Sequence, residues 1–241
     1  MASRQIPLDL PHVESRERAD FLSGTANEAA LSLIDAWPDW PARAIAVVGP
    51  PGSGKSHLAA LFAERSGAAT VTASALDLAD LPGLVARGAV VVEDLGNAPI
   101  PEGALFHLLN LATEHRVCVL VTSRQVPATL AEALATRDLV SRLRAMPAVT
   151  LGRPDDALLA AVAVKLFADR QITPDEALLS FLLTRVDRSI GAIRDVVGEL
   201  DREALARKRP LTRALASELL RGRTEAQDGD DDTLSDRSAT T

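Results

Sequence analysis

Residues 49–56 read GPPGSGKS, which fits the pattern G-x-x-x-x-G-K-[ST]. Each residue type in it has a chemical reason. Gly49, Gly52 and Gly54 let the backbone wrap so that its N–H groups face phosphate oxygens. A helix starting near Lys55 adds its positive dipole end. The Lys55 ammonium reaches β- and γ-phosphates, and Ser56 places a hydroxyl on Mg²⁺. With Pro50, Pro51 and Ser53 inside the turn and His57 just after it, this stretch is expected to hold ADP or ATP.

A second acidic element is VVVEDLG, Val90 to Gly96. A carboxylate at the end of a buried strand beside a phosphate loop holds the water shell of Mg²⁺. The usual order is Asp followed by Asp or Glu, whereas here Glu93 comes first and Asp94 second. The longer first side chain changes the reach to the metal shell and favours binding over fast hydrolysis. Ser56 and Glu93, acting through water, are the metal candidates. Glu93 and Asp94 together are the candidates for hydrolytic chemistry.

These residues need elements to position them. AIAVVG (Ala44 to Gly49) is a short apolar run entering the glycine turn and reads as a strand buried on both faces. Lys55 to Arg65 continues as a helix. Further strands are predicted at Ala69 to Ser74, Ala89 to Glu93, Val117 to Thr122 and Ala148 to Leu151, with helices at Glu28 to Trp37 and Gly103 to His115. Strands alternating with helices imply an α/β domain with a parallel five-stranded sheet covered on both faces. After Pro154 the pattern is helical only: Asp155 to Asp169, Pro174 to Val186, Ser189 to Ala206 and Thr212 to Leu219, with Thr173 and Asp187 as expected N-caps. The division is a peptide and linker at 1–17, the nucleotide domain at 18–153, an all-α domain at 154–220 and a disordered acidic tail at 221–241.

Composition narrows the class. With 47% hydrophobic residues but 3% aromatics and no Tyr, the core must be aliphatic. No apolar run approaches the ~20 residues that span a bilayer, and Met1 to Leu10 has no apolar signal region. The one cysteine, Cys118, sits in an apolar run and reads as a buried thiol, so a reducing cytoplasm is expected. The formal charge is −7, and residues 222–241 hold six acids against two arginines, which is −4 of it. Nothing here favours a sequence-independent grip on DNA phosphates.

The phosphate loop, VVVEDLG, VLVTSR (Val119 to Arg124), LVSRLR (Leu139 to Arg144) and the four trailing helices together resemble the AAA+ module of the bacterial replication initiator DnaA. DFLSGTANEAAL (Asp20 to Leu31) is similar to the start of that module. The resemblance covers roughly residues 18 to 220. It implies an AAA+ P-loop fold whose small all-α part is a lid. It stops short of the initiator's helix-turn-helix DNA-binding domain, so no direct sequence-specific DNA binding is expected. In place of the initiator's N-terminal domain stands RQIPLDLP, Arg4 to Pro11. That stretch resembles the Q-x-x-L-x-L peptide by which replication proteins dock on the sliding clamp, the β subunit of DNA polymerase III. Gln5 would hydrogen-bond there, and Ile6, Leu8 and Leu10 would fill an apolar pocket.

An initiator-like ATPase module with a clamp peptide resembles the Hda family of regulatory inactivators of DnaA. The resemblance implies that Arg142 is an arginine finger acting in trans on ATP held by DnaA, and that Ser123 lies near the polar sensor ending the fourth strand. It also places Gly191 where the family offers a sensor arginine, leaving Arg194 or Arg188 to replace it. Intrinsic ATPase activity is then expected to be weak. ADP on the chain's own site would support the active form, and homo-oligomerisation stays open. The competing reading is an AAA+ helicase loader of the DnaC or IstB type, which QIPLDL and the acidic balance disfavour. A simple P-loop kinase fits worse, since no acceptor site is visible.

Overall fold

The computed structural model describes residues 21–222. The segment expected to dock on the clamp, with Gln5, Ile6, Leu8 and Leu10, and the acidic stretch beyond residue 222 lie outside the described residues. By contacts, residues 21–158 and Ser189–Gly191 form one unit, and Leu159–Arg188 with residues 192–222 form the other.

The first unit is built on a five-stranded parallel sheet. Its strands are β1 (Ala44–Val48), β2 (Ala69–Thr72), β3 (Ala89–Leu95), β4 (Cys118–Ser123) and β5 (Ala148–Thr150), in the order β2-β3-β4-β1-β5. The strands pair in parallel throughout. The β-branched runs of β3 and β4 are buried on both faces, as continuous apolar strands of parallel sheets are. The edge strands β2 and β5 are half-exposed.

Alternation along the strands divides the core into two layers. On one face Val47, Ala89, Val91, Cys118 and Leu120 pack under α1 (Glu28–Asp35) and α2 (Lys55–Ser66). Phe62 of α2 is fully buried there, stacked at 4.8 Å on Trp40 and edge-on to Trp37 at 6.1 Å. Burying a side chain of this size stabilises by roughly 1.5–3 kcal/mol, which fixes α2 behind the glycine turn. On the other face Ala46, Val48, Val90, Val92, Val119 and Val121 pack under α3 (Leu81–Val85), α4 (Glu102–Glu114) and α6 (Arg137–Ala145), with the short α5 (Pro127–Leu130) before α6.

The second unit is helical: most of α7 (Asp156–Asp169), α8 (Glu176–Arg185), most of α9 (Ile190–Arg207) and α10 at 213–222. Phe167, Leu178, Leu182, Val197 and Leu200 are among its buried residues. Two expected caps are corrected. Asp175, not Thr173, caps α8, its carboxylate accepting from the Leu178 amide at 2.7 Å. Helix α9 begins at Ile190, beyond the reach of an N-cap at Asp187.

Helix α6 carries Arg142, and α4 holds its start. The Glu102 carboxylate accepts from the amides of Ala135 and Thr136 at 3.0 and 2.7 Å. The Thr136 hydroxyl and these two amides pull the Glu102 pKa below its ordinary value. A carboxylate with a depressed folded pKa contributes stability above its unfolded value of about 4.3, and loses it as pH falls through the folded value. Glu102→Ala should therefore lower Tm at pH 7, with the gap to wild type closing below about pH 4. A gap that stayed constant across a pH series of thermal melts would remove the carboxylate from this role.

Candidate nucleotide-binding site

The glycine turn leaves the carboxyl end of β1, between β4 and β5, where open parallel sheets place their ligands. Gly49 N–H donates to the Ser123 carbonyl at 3.1 Å, tying the start of the turn to the end of β4. Gly52 and Gly54 have φ of +70° and +98°, conformations that strain any other residue. At Gly49 the constraint is space, because a Cβ there would stand 2.7 Å from Ser53 Oγ. Gly54 is the N-cap of α2 and offers no side-chain acceptor, so amides of the first turn point at whatever fills the loop.

Lys55 lies under this turn, with its side chain buried. Its Nζ donates to the carbonyls of Gly49 and Pro50 at 2.8 and 2.9 Å. Burial lowers its pKa, Asp94 opposes that shift, and Arg124 adds to it. The ammonium is thus pre-placed inside the loop without a direct carboxylate bond to neutralise it. Ser56 is exposed in the first turn of α2. His57 is half-buried, its ring edge-on to Phe21 at 5.2 Å.

Glu93 falls on the same face of β3 as Ala89 and Val91, the face covered by α2. Its Oε1 is buried and has no hydrogen-bond partner among the described residues, as is Ser53 Oγ. A buried carboxylate oxygen without a donor, on the α2 side of the sheet, fits a hydrated cation. Asp94 behaves differently. It is exposed at φ +60° in a break in the β3 ladder; its amide donates to Thr122 Oγ1 at 3.0 Å, and its Oδ1 accepts from Asn97 at 2.7 Å. Ser123 is buried at the end of β4, its hydroxyl donating to the Leu95 carbonyl at 2.9 Å and accepting from the Gln125 amide at 3.1 Å. That hydroxyl locks the ends of β3 and β4 together.

Gly191, expected only as the place of a missing arginine, touches the loop. Its N–H donates to the Gly52 carbonyl at 2.9 Å, and a Cβ on it would stand 2.7 Å from Gly52 Cα. An arginine therefore has no room at this position. Arg194 and Arg188 belong to the helical unit, Arg194 half-buried on α9 and Arg188 exposed before it. Arg142 is half-buried on α6, donating to Asn110 Oδ1 of α4 and lying over the Phe106 ring at 5.7 Å. Sequence reading missed Thr122, Asn97, Asn110 and Arg124. Thr122 and Arg124 lie inside the quoted VLVTSR, although no role was read for either, while Asn97 and Asn110 carried no signal.

Solved structures with the same arrangement decide the fold. Domain III of the Thermotoga maritima replication initiation protein DnaA superposes with a TM-score of 0.70 at 20% identity, covering 86% of this chain and 96% of that one. The chain has the AAA+ fold. AMPPCP-bound DnaA from Aquifex aeolicus gives 0.59 at 17% identity, over 78% of this chain and 67% of that one. A Thermotoga maritima RuvB gives 0.66 at 13% identity, over 85% and 71%. No protein-family model matches the sequence, and no curated protein matches it. Among the described residues no helix is long and apolar enough to cross a membrane.

Proposed function

We propose that this chain is a nucleotide-bound AAA+ regulator of replication initiation that promotes hydrolysis of ATP on DnaA while docked on the DNA-loaded sliding clamp. The likeness to DnaA domain III over 96% of that domain supports a role in replication initiation. The observation that carries the reading is the AAA+ fold with Lys55 beneath a formed glycine turn and Arg142 set on a separate helix. Gly49 to His57 would hold ADP or ATP, and Ser56 with Glu93 would hold hydrated Mg²⁺, which supplies charge neutralisation at the phosphates. Arg142 would offer its cation to the partner's γ-phosphate, as a GTPase-activating protein does. Asp94 is engaged with Thr122 and Asn97, and this, like the longer Glu93, favours slow turnover on the chain's own site.

The experiment is an ATPase assay of DnaA with this protein and DNA-loaded clamp, added separately and together. Stimulation only in the joint mixture supports the regulator. Capture of the replicative helicase in place of the clamp would support the helicase-loader reading instead. Replacing both Leu8 and Leu10 with Ala should weaken clamp binding by at least about 100-fold, because buried apolar anchors dominate short-peptide docking. ADP affinity should be unchanged, measured by calorimetry on the same preparation. Retained clamp binding would remove these residues from that role.

A further inference from the structure

We propose that Gly191 is a positioning residue of the nucleotide site, one that acts through its backbone and through having no side chain. The inference rests on the nucleotide-binding reading above. Ser189–Gly191, which open α9, cluster with the α/β unit. Each of the three reaches the glycine turn. A Cβ on Gly52 would stand 3.0 Å from Ser189 Oγ and 3.2 Å from Gly191 Cα, and one on Gly54 would stand 4.0 Å from Ile190 Cδ1. The Gly191 amide, in the first turn of α9, has no partner within its own helix and finds one in the Gly52 carbonyl at 2.9 Å. The packing of Gly52 and Gly191 is therefore reciprocal, and neither tolerates a Cβ.

The consequence for ligand binding follows from peptide planarity. In a trans peptide the carbonyl of one residue and the amide of the next point in opposite directions. Holding Gly52 O outward on Gly191 turns the Ser53 N–H inward, where it meets Pro50 O at a long 3.3 Å. Pro50 O already accepts from Lys55 Nζ at 2.9 Å. A weakly engaged amide beside the buried ammonium is set to exchange that carbonyl for a phosphate oxygen. Gly191 thus fixes the orientation of a phosphate donor from outside the loop. By linkage, nucleotide on the loop must tighten the Gly52–Gly191 contact by the same factor by which the contact tightens nucleotide.

The test compares three full-length proteins by ADP calorimetry and by thermal unfolding without nucleotide. Gly191→Ala should bind ADP about tenfold more weakly, the upper range for one hydrogen bond. Its Tm without nucleotide should fall too, because the added Cβ meets Gly52 Cα at 2.7 Å, so ADP affinity is read well below the Tm, on protein that is fully folded. Gly198→Ala is the control on the same helix, where a Cβ would meet only Arg170 Nη2 at 3.9 Å. It should bind ADP as wild type does. Equal ADP affinity in Gly191→Ala and wild type would overturn the proposal. Absence of ADP binding by wild type would instead sink the nucleotide site itself, and this inference with it. If Gly191→Ala does not fold, residue-resolved amide exchange of wild type decides. ADP should slow exchange at Gly191 about fivefold or more, and an unchanged rate overturns the proposal.

Discussion

A Lys55→Ala protein is expected to bind neither ADP nor ATP measurably, and to show no rise in Tm when ADP is added. Lys55 is the one buried cation in the loop among the described residues, and its Nζ lies within 2.9 Å of two loop carbonyls. Phosphate would bring acceptors of formal charge to a place where only carbonyl oxygens stand now, so the ammonium supplies the main attraction. For wild type, ligand at about 100 times Kd stabilises by about 2.7 kcal/mol. The variant should lose all of it. Its ligand-free stability is a separate matter with a definite sign. Burial depresses the Lys55 pKa, so the unfolded chain holds this proton more tightly than the folded one. The charged lysine therefore costs stability at neutral pH, and the cost fades as pH rises through the folded value toward 10.5. Opposing it are the two hydrogen bonds, whose loss leaves Gly49 O and Pro50 O without the ammonium. A Lys55→Ala protein that still gave an ADP-dependent Tm shift would place the nucleotide elsewhere.

What the sequence reveals of this site depends on how local the cause is. GPPGSGKS is legible because one short stretch contains the turn, the ammonium and the helix start. The strands are legible because parallel burial on both faces forces continuous apolar runs such as Ala89 to Val92. Helix α6 was readable only as a motif, although Leu139 and Leu143 stand one turn apart and both are fully buried. At nine residues it is too short for a strong period. Contacts between distant segments carry no local signal at all. Glu102 reaches Ala135 and Thr136 across 33 and 34 positions, and Arg142 reaches Asn110 across 32. Gly191 is the sharpest case. Aligned by motif it is the absence of an arginine, while in the fold it is a backbone donor to Gly52 that only glycine can make.

Arg142→Ala is expected to abolish stimulation of DnaA's ATPase, by ~10³-fold or more, while leaving ADP and clamp binding intact. The structure explains why the two effects separate. Helix α6 is anchored by Leu139 and Leu143 in the core and by Glu102 at its start, so truncating Arg142 removes neither. The contacts that are lost, to Asn110 Oδ1 and the Phe106 ring, are at the surface of α4 and far in sequence from the glycine turn. Asn110 takes one edge of the guanidinium, and the remaining N–H groups of a planar fork stay available to a phosphate. If Arg142 acts on a neighbour's nucleotide as proposed, holding one edge on Asn110 lowers the entropy lost in that encounter. Arg142→Lys should therefore recover little, since an ammonium cannot bond Asn110 and a γ-phosphate with one fixed geometry. Arg144→Ala is the matched control, because Arg144 is exposed on the same helix and no bond to α4 is seen for it. Stimulation by Arg142→Ala at the wild-type rate, in an assay with DNA-loaded clamp, would end the trans-acting mechanism and turn the balance toward the helicase loader.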